Sequence, residues 1–291
     1  MDHGRSVLAF TDHLRREEIL HYARRVEELG YDAMFLPDLF GRDLFVLAGY
    51  ILGNTTRLRV GTGIAGIYGR DPMAMLHHAR TLAELYEGRF ILGLGVSNPM
   101  GAALRGQTWA PPLRKMRQYL EAMAAVDAPA PAAAPRAPVY LAAHGPKMLR
   151  LAATHADGAN TYLMPTAHTR EARAILGPDK DLNVFLPCCL CDDPVQARKT
   201  ARKSTAMYFA IDAYLEQWTR LGFSPADIQN GGSDHLIDTL VAWGDAAAIR
   251  ARIAEHLEAG ARHIVVLPYN PVPRGPTPYW PVLEALAPDA A

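Results

Sequence analysis

The sequence predicts an α/β fold made of alternating helices and parallel strands, because one α-turn-β unit recurs along the chain. In three places a helical segment ends at a glycine that an apolar run follows at once: VEELGYDAMFLP at Gly30, AELYEGRFILGLG at Gly88 and HLEAGARHIVVLP at Gly260. Glycine suits the left-handed conformation just past a helix end, and a short continuous apolar run is typical of a strand buried on both faces. This repetition favours a (β/α)8 TIM barrel or a doubly wound sheet, and both folds carry their sites at the carboxyl ends of the strands.

The spacing of apolar residues supports the predicted helices and strands. Ile19, Ala23 and Val26 share one face of the helix before Gly30, while polar residues occupy the other faces. Further strands are expected at residues 7–10, 58–61, 139–142, 158–161 and 184–190, alternating with helices that begin near residues 44, 72, 113, 147 and 195. The total is about eight strands and eight helices in alternation.

Two segments interrupt this alternation. Residues 127–138 (DAPAPAAAPRAP) are rich in alanine and proline and are expected to be an extended surface connection, since proline breaks helices and stiffens linkers. Residues 195–243 form a long, mostly helical insertion near the last βα unit, in which Ser233 is expected to cap a helix beginning near Asp234. Such an insertion can cover the mouth of a barrel or make a dimer contact. The whole chain, residues 1–291, is expected to be a single domain.

Composition points to a small-molecule partner. The 30 basic and 30 acidic residues cancel, and no basic block indicates a nucleic-acid or membrane surface. The apolar stretch in the first thirteen residues is too short for a signal-peptide core, and nowhere do about 18 apolar residues run together as a membrane span needs, so a cytoplasmic protein is expected. Cys188, Cys189 and Cys191 lie in one apolar segment, which favours reduced, buried strand residues over a disulfide framework.

Four segments at expected strand ends are candidates for the site. Asp38 follows the AMFL strand, where an acidic residue can be catalytic, although loops also use aspartate for turns and caps. The segments 60–66 and 92–99 (VGTGIAG and LGLGVSNP) contain glycines that let a ligand approach the backbone. The segment 141–148 (LAAHGPKM) runs from a strand into a helix start, where free N–H groups and the helix dipole suit a phosphate.

Several other chemistries lack their motifs. The adjacent His77 and His78 point in directions about 100° apart on a helix, and the remaining histidines show no HxH or HExxH spacing, so no metal site is expected. The region of Ser97 lacks the GxSxG turn of serine hydrolases. The Gly93–Gly95 pattern is an incomplete dinucleotide fingerprint, which disfavours a nicotinamide site.

Taken in order, three segments carry a family resemblance: GYDAMFLPD, RLRVGTGIAGIYGRDPMAMLHHARTLAELYEGRFILGLGVSNP and YLAAHGPKMLRLAATHADGANTYLMP. Their order, spacing and composition resemble the luciferase-like monooxygenase superfamily, and within it the oxidoreductases that use the deazaflavin coenzyme F420. The resemblance runs from about residue 7 to the HIVVLP strand. It implies a (β/α)8 barrel in which a flavin-like ring lies across the strand ends and main-chain groups hold its phosphate.

The resemblance also implies roles for particular residues. It places an acidic residue near the ring at Asp38, and it places a cis peptide that does not involve proline within residues 62–64. The residues that it implies in cofactor binding are Asp38, Thr62, Gly63, Ile64, Gly95, Val96, Ser97 and, in the phosphate loop, Ala143, His144, Gly145 and Pro146.

The chain also departs from one branch of the family. The sugar-phosphate dehydrogenases have a histidine and a glutamate where this chain has Leu39 and Asn98, so the resemblance does not carry their reaction with it.

The leading hypothesis is an F420-dependent oxidoreductase that transfers a hydride between its cofactor and a small organic substrate, with Asp38 or Tyr162 handling the proton. An FMN-dependent monooxygenase is the alternative, and a barrel that binds a flavin without catalysis is a third. The aromatic residues of the insertion, Tyr208, Phe209, Tyr214 and Trp218, form either a pocket wall or a helix core. A homodimer is expected from the family resemblance.

Overall fold

The structure is a computed structural model that describes residues 4–38, 41–127, 129, 134–273, 275 and 277–288. The strands are β1 (Gly4–Leu8), β2 (Ala33–Leu36), β3 (Arg59–Thr62), β4 (Ala65–Gly66), β5 (Phe90–Gly95), β6 (Val139–Ala142), β7 (Gly158–Tyr162), β8 (Asp181–Leu190), β9 (Ala242–Gly244) and β10 (His263–Pro268). The helices are α1 (Arg16–Glu28), α2 (Leu44–Leu52), α3 (Pro72–Leu85), α4 (Pro99–Ala103), α5 (Pro112–Ala124), α6 (Pro146–His155), α7 (Thr166–Leu176), α8 (Pro194–Thr205), α9 (Asp212–Arg220), α10 (Pro225–Ile228), α11 (Asp234–Leu240), α12 (Ala246–Glu258) and α13 (Trp280–Ala285).

All strand pairs are parallel, and the sheet closes on itself. Strands β1, β2, β3, β5, β6, β7 and β8 follow one another around the barrel, and β10 pairs with both β8 and β1. The two short strands lie outside this ring, since β4 pairs only with β5 and β9 only with β8. Of the two predicted architectures, the (β/α)8 TIM barrel is therefore confirmed and the doubly wound sheet is wrong.

Apolar residues fill two separate layers. The outward-facing strand residues, such as Met34, Val60 and Leu92, pack against the surrounding helices in one large cluster. The alternate residues, such as Phe35, Phe185 and Val265, fill the barrel interior in a second cluster. Each strand is thus buried on both faces, which explains the continuous apolar runs in the sequence.

The three helix-glycine-strand units form as predicted. Gly30, Gly88 and Gly260 have φ values of 81°, 79° and 101°, in the region where a side chain is strained. Most predicted strands are present with ends shifted by a few residues, and the strand at residues 139–142 has the predicted ends. Strands β4 and β9 and helices α4 and α13 were not predicted, because elements of two to six residues show no recognisable period. The eleven-residue helix α7 was not predicted either.

The predicted insertion forms α8 to α11 and two short 3₁₀ turns between β8 and β9. Ser233 caps α11 as expected, since its side chain accepts a hydrogen bond from the N–H of Leu236. Of the predicted connection at 127–138, residues 128 and 130–133 lie outside the described residues, and 134–138 form neither helix nor strand. Leu39 also lies outside them.

Two of the three cysteines lie buried in β8. Cys188 and Cys189 are buried and unbridged as predicted, whereas Cys191 is partly exposed because it follows the end of β8. Burial raises the pKa of the Cys189 thiol to about 12, so it remains protonated at neutral pH. Among the described helices, none has the length and hydropathy to span a membrane.

Candidate functional site

Four of the sequence-predicted segments meet at the carboxyl edge of the barrel. The parallel register pairs Leu36 with Thr62 and Leu94 with Leu141, so the loops after β2, β3, β5 and β6 leave the barrel side by side. These loops contain Asp38, the glycines after Thr62, Ser97 and Gly145. The structure thus brings the predicted site residues to one face, as the strand-end rule requires.

Asp38 is held in a network of donors. Its Oδ2 accepts hydrogen bonds from the N–H of Gly66 at 3.1 Å and from Nη1 of Arg70 at 3.0 Å, and Nη2 of Arg105 lies 3.9 Å away. Only 7% of the Asp38 side chain and 14% of the Arg70 side chain are exposed. The carboxylate therefore ties the loop after β2 to the loop after β3.

The loop after β3 contains the cis peptide that the family resemblance implied. The bond between Gly63 and Ile64 is cis although neither residue is proline. The N–H of Gly63 donates to the carbonyl of Leu36 at 2.7 Å, and the carbonyl of Ile64 accepts from the N–H of Asp38 at 3.3 Å. This loop is thus fastened to the end of β2 on both sides of the cis bond.

Thr62 contributes to the barrel wall. Its side chain is fully buried, and its hydroxyl donates to the carbonyl of Gly93 at 2.7 Å and accepts from the N–H of Gly93 at 2.8 Å. A Cβ on Gly93 would collide with the carbonyl oxygen of Thr62, so only glycine permits this close approach of β3 and β5. Thr62 therefore has no exposed surface and shapes the wall behind this face without presenting its side chain to a ligand.

The turn after β5 has an unusual backbone. Ser97 is exposed and has a φ of 63°, and Asn98 then caps α4 by accepting a hydrogen bond from the N–H of Gly101 at 2.8 Å. A Cβ on Gly95 would collide with the side chain of Ile64. Gly95 therefore places this turn directly against the cis-peptide loop.

The predicted phosphate loop presents free donors. Gly145 is the N-cap residue of α6 without any side-chain cap. Within the described part of the chain, the backbone N–H groups of His144, Gly145 and Lys147 form no hydrogen bond. Nε2 of His168 lies 2.7 Å from the carbonyl oxygen of His144, which fixes the peptide on the other side of the loop. Three unpaired N–H groups at a helix N-terminus are the arrangement that binds a phosphate.

The imidazole of His144 lies beside this loop. Its Nδ1 is buried with no hydrogen-bond partner among the described residues, and its ring centroid is 4.9 Å from that of Tyr214. Burial, together with the nearby His168, lowers the pKa of His144 to about 3. The ring is therefore neutral at pH 7, and its Nδ1 remains available for a hydrogen bond.

Tyrosines form the opposite side of the strand ends. Tyr162 ends β7 and Tyr269 follows β10, and their hydroxyl oxygens are 3.2 Å apart. Tyr208 and Tyr214 of the insertion lie with their ring centroids 5.0 Å and 6.4 Å from that of Tyr162. Burial, followed by the neighbouring tyrosines, raises the pKa of Tyr162 well above its ordinary value. We call these four residues the tyrosine cluster.

The insertion divides its aromatic residues between the two predicted roles. Trp218 is fully buried, donates from Nε1 to the carbonyl of Leu163 at 2.9 Å and packs against Phe209, so these two form a helix core. Tyr208 and Tyr214 instead face the strand ends and form a wall. Gln217 of α9 lies beside Gly145, since a Cβ on that glycine would be 3.4 Å from Nε2 of Gln217.

Two residues of this face were not predicted from the sequence. Tyr269 directly follows the predicted HIVVLP strand, so the expectation of a site at the strand ends, which selected Asp38, would also have selected it. Gln217 belongs to α9, whose position over the barrel no local pattern indicates. No group of three or more potential metal ligands occurs among the residues that the structure describes.

Several known proteins are similar to this chain in sequence or in fold. The 5,10-methylenetetrahydromethanopterin reductase of Methanolobus tindarius is 26% identical over 296 residues, which cover 85% of this chain and 89% of the reductase. An F420-dependent secondary alcohol dehydrogenase, solved with an F420-acetone adduct, aligns with a TM-score of 0.74 at 18% identity over 92% of this chain and 93% of the dehydrogenase. The oxygenating constituent of the 3,6-diketocamphane monooxygenase of Pseudomonas putida, solved with FMN, aligns with a TM-score of 0.71 at 15% identity over 99% and 97% of the two chains.

The family assignment rests on a separate match. The luciferase-like monooxygenase family matches residues 5–263, which include every strand end of the barrel except that of β10. This chain therefore belongs to the luciferase-like monooxygenase family.

Proposed function

We propose that this protein is an F420-dependent oxidoreductase that transfers a hydride between the deazaflavin and a small organic substrate. Residues 143–146 would hold the cofactor's phosphate, and the strand ends near the Gly63–Ile64 peptide would hold its ring. The tyrosine cluster would then line the substrate site. The cofactor supplies a carbon that gives or takes a hydride, and the protein supplies binding, orientation and exclusion of water.

The observation that carries this proposal is the row of unpaired N–H groups at the start of α6. Backbone donors left without partners near a helix N-terminus favour an anion, and a phosphate occupies several of them at once. Gln217 extends the donor set from above, and the buried, unpartnered Nδ1 of His144 is an additional polar atom beside the loop. These residues fit the phosphate-bearing side chain of a deazaflavin or a flavin.

The cis peptide supports the placement of the ring. Gly63 and Ile64 form a partly exposed surface on which a planar ring can contact the backbone, and the missing side chain of Gly95 makes room for Ile64. Val96 and Ser97 follow at the edge of that surface. We infer that Asp38 acts beneath it as the anchor of the cis-peptide loop, because Gly66 and Arg70 already engage its carboxylate.

Tyr162 is the better candidate for handling a proton. A phenol whose pKa is raised by burial stays protonated at neutral pH, so it can donate a hydrogen bond or a proton to a substrate. Asp38, in contrast, has its oxygen directed to Arg70.

The solved neighbours support F420 and keep FMN as a second candidate. The secondary alcohol dehydrogenase was solved with an F420-acetone adduct, whereas the diketocamphane monooxygenase constituent was solved with FMN. Both cofactors carry one phosphate on a ribityl chain, so the phosphate loop serves either.

A cofactor titration separates these candidates. Purified protein is titrated with oxidised F420 and, separately, with FMN, and binding is followed by absorbance and fluorescence. We expect F420 to bind at least tenfold more tightly, which is about 1.4 kcal/mol. Tight binding of FMN without binding of F420 would favour the monooxygenase. Binding of F420 without turnover against ketones, imines, alkenes and alcohols would favour a non-catalytic barrel.

Two variants at one position test the phosphate loop itself. Gly145 has a φ of −84° and a ψ of 153°, which any residue adopts, so Gly145→Ala should leave F420 affinity nearly unchanged. Gly145→Asp adds a negative charge among the N–H donors, and we expect it to weaken F420 binding tenfold or more, about 1.4 kcal/mol. Equal affinity of the two variants would refute this site, and Ala174→Asp on the exposed face of α7 controls for the added charge.

A further inference from the structure

We propose that the hydroxyls of Tyr162 and Tyr269 bind the oxygen of a neutral carbonyl compound or of its alcohol. This assignment rests on the proposed function, because it names the substrate class of the same barrel mouth. The observation behind it is the pair of phenol oxygens 3.2 Å apart at the ends of two barrel strands.

The tyrosine cluster has an unused proton. The hydroxyl of Tyr162 bonds that of Tyr269, and it also hydrogen-bonds that of Tyr208. Three hydroxyls carry three O–H protons and these two bonds use two of them, so one O–H remains to donate to a further oxygen. The two tyrosines stand on β7 and just after β10, on either side of β8, so their shared position is fixed by the barrel wall.

The surroundings of the pair are neutral. Burial and the neighbouring phenols shift the pKa of Tyr162, and burial, two phenols and two cysteine thiols shift that of Tyr269, so no charged side chain is among these groups. The imidazole of His144 faces Tyr214 and is uncharged at neutral pH. Asp38 follows β2, two strands away from β10, and is engaged by Arg70.

The lack of charge around the two tyrosines favours a neutral carbonyl substrate over a cationic one. A cationic substrate such as an iminium ion needs a nearby carboxylate to compensate for its lost hydration, and the tyrosine cluster offers none. A carbonyl oxygen gains negative charge as its carbon is reduced, and preorganised O–H donors stabilise that charge. The rings of Tyr208 and Tyr214 add an apolar wall for the body of the molecule.

Three small probes with one aromatic body test the assignment. Acetophenone presents a neutral carbonyl, protonated 1-phenylethylamine a cation, and ethylbenzene no polar group. Binding of each probe to the protein, alone and loaded with oxidised F420, is measured by saturation-transfer NMR. Oxidised cofactor cannot reduce the ketone, so the readout is binding without turnover.

We expect acetophenone to bind more tightly than the other two probes. Tyr162→Phe and Tyr269→Phe should each weaken its binding about twofold to tenfold, the effect of one hydrogen bond. Tyr50→Phe on α2 is the matched control and should change nothing. Ethylbenzene should bind equally to all variants because it makes no hydrogen bond.

Several outcomes would overturn the assignment. These are preference for the amine, equal binding of ethylbenzene and acetophenone, unchanged ketone affinity in both phenylalanine variants, and no ketone binding at all. F420 titrations of the same proteins keep the two proposals apart. Normal F420 affinity with failed ketone binding rejects only the carbonyl site, whereas failed F420 binding rejects the proposed function.

Discussion

At the scale of single residues, the partners of Asp38 decide what its carboxylate does. An isolated buried carboxylate near a cofactor is a candidate acid or base, but this one is paired with a guanidinium that is itself largely buried. Arg70 also bonds Asp43, the N-cap residue of α2, through its other amino group at 2.9 Å. One arginine thus links two loops and a helix start.

Removing that arginine should destabilise the protein far more than removing an exposed one. We expect Arg70→Gln to lower the free energy of unfolding by about 2–4 kcal/mol, because it removes the nearer and hydrogen-bonded cation of the buried Asp38 and leaves only Arg105, at 3.9 Å. Arg16→Gln, which breaks a pair with Glu17 at the surface, should cost less than about 1 kcal/mol. Urea unfolding measures both, and equal effects would show that the Asp38 pair behaves as an exposed one.

The double variant Asp38→Asn, Arg70→Gln separates the pair from its surroundings. Once both charges are gone, no charge stays buried without a partner, so part of the loss should be recovered. Additive losses would mean that the two side chains do not stabilise each other.

At the scale of elements, the docking of the insertion on the barrel depends on one tryptophan. Trp218 is the largest fully buried side chain in the chain's described part, and its Nε1–H bonds the carbonyl of Leu163, just past the end of β7. This contact docks α9 on the barrel and so places Tyr214 and Gln217 over the site. The position of the insertion is therefore set by packing between segments distant in sequence.

Truncating this tryptophan should release the insertion while the barrel stays folded. We expect Trp218→Ala to cost about 3–5 kcal/mol of docking and to speed proteolysis within residues 206–232, with little change in far-ultraviolet circular dichroism. Trp109→Ala, at a partly exposed ring stacked on Tyr68, is the control. First cleavage outside the insertion would show that insertion and barrel unfold together.

The difference between local signals and contacts distant in sequence explains which elements could be predicted from the sequence. The units at Gly30, Gly88 and Gly260 combine three local signals, namely helical periodicity, a turn glycine and an apolar run, and all three formed. Strand β9 has three residues and is held by pairing with β8, so no local signal exists for it. The pairing of Tyr162 with Tyr269 spans 107 residues and depends on barrel closure. Such contacts follow from the fold and are invisible before it is known.

At the scale of the whole molecule, buried histidines couple folding to pH. His256 of α12 is fully buried, its Nδ1 lies 2.8 Å from the hydroxyl of Thr169, and its Nε2 has no partner among the described residues. Burial, followed by Arg252 and His168, lowers its pKa from 6.5 to about 4. His263 of β10, hydrogen-bonded to Ser6, also has its pKa lowered by burial to about 4. Both are neutral in the folded protein near pH 6.

The expected consequence is loss of stability as the pH falls from about 6.5 to about 4. In that window an unfolded histidine binds a proton that the folded one refuses, so the unfolded state gains up to about 1.4 kcal/mol per pH unit for each such group. His256→Gln keeps a polar group beside Thr169 but cannot titrate. Its free energy of unfolding, measured by urea at several pH values, should therefore fall less steeply toward pH 4 than that of the wild type. His77→Gln on the exposed face of α3 should retain the wild-type slope. The comparison concerns the slope of the free energy of unfolding against pH, so a change in overall stability caused by the substitution does not obscure it. Identical slopes for His256→Gln and the wild type would place the acid sensitivity in other residues.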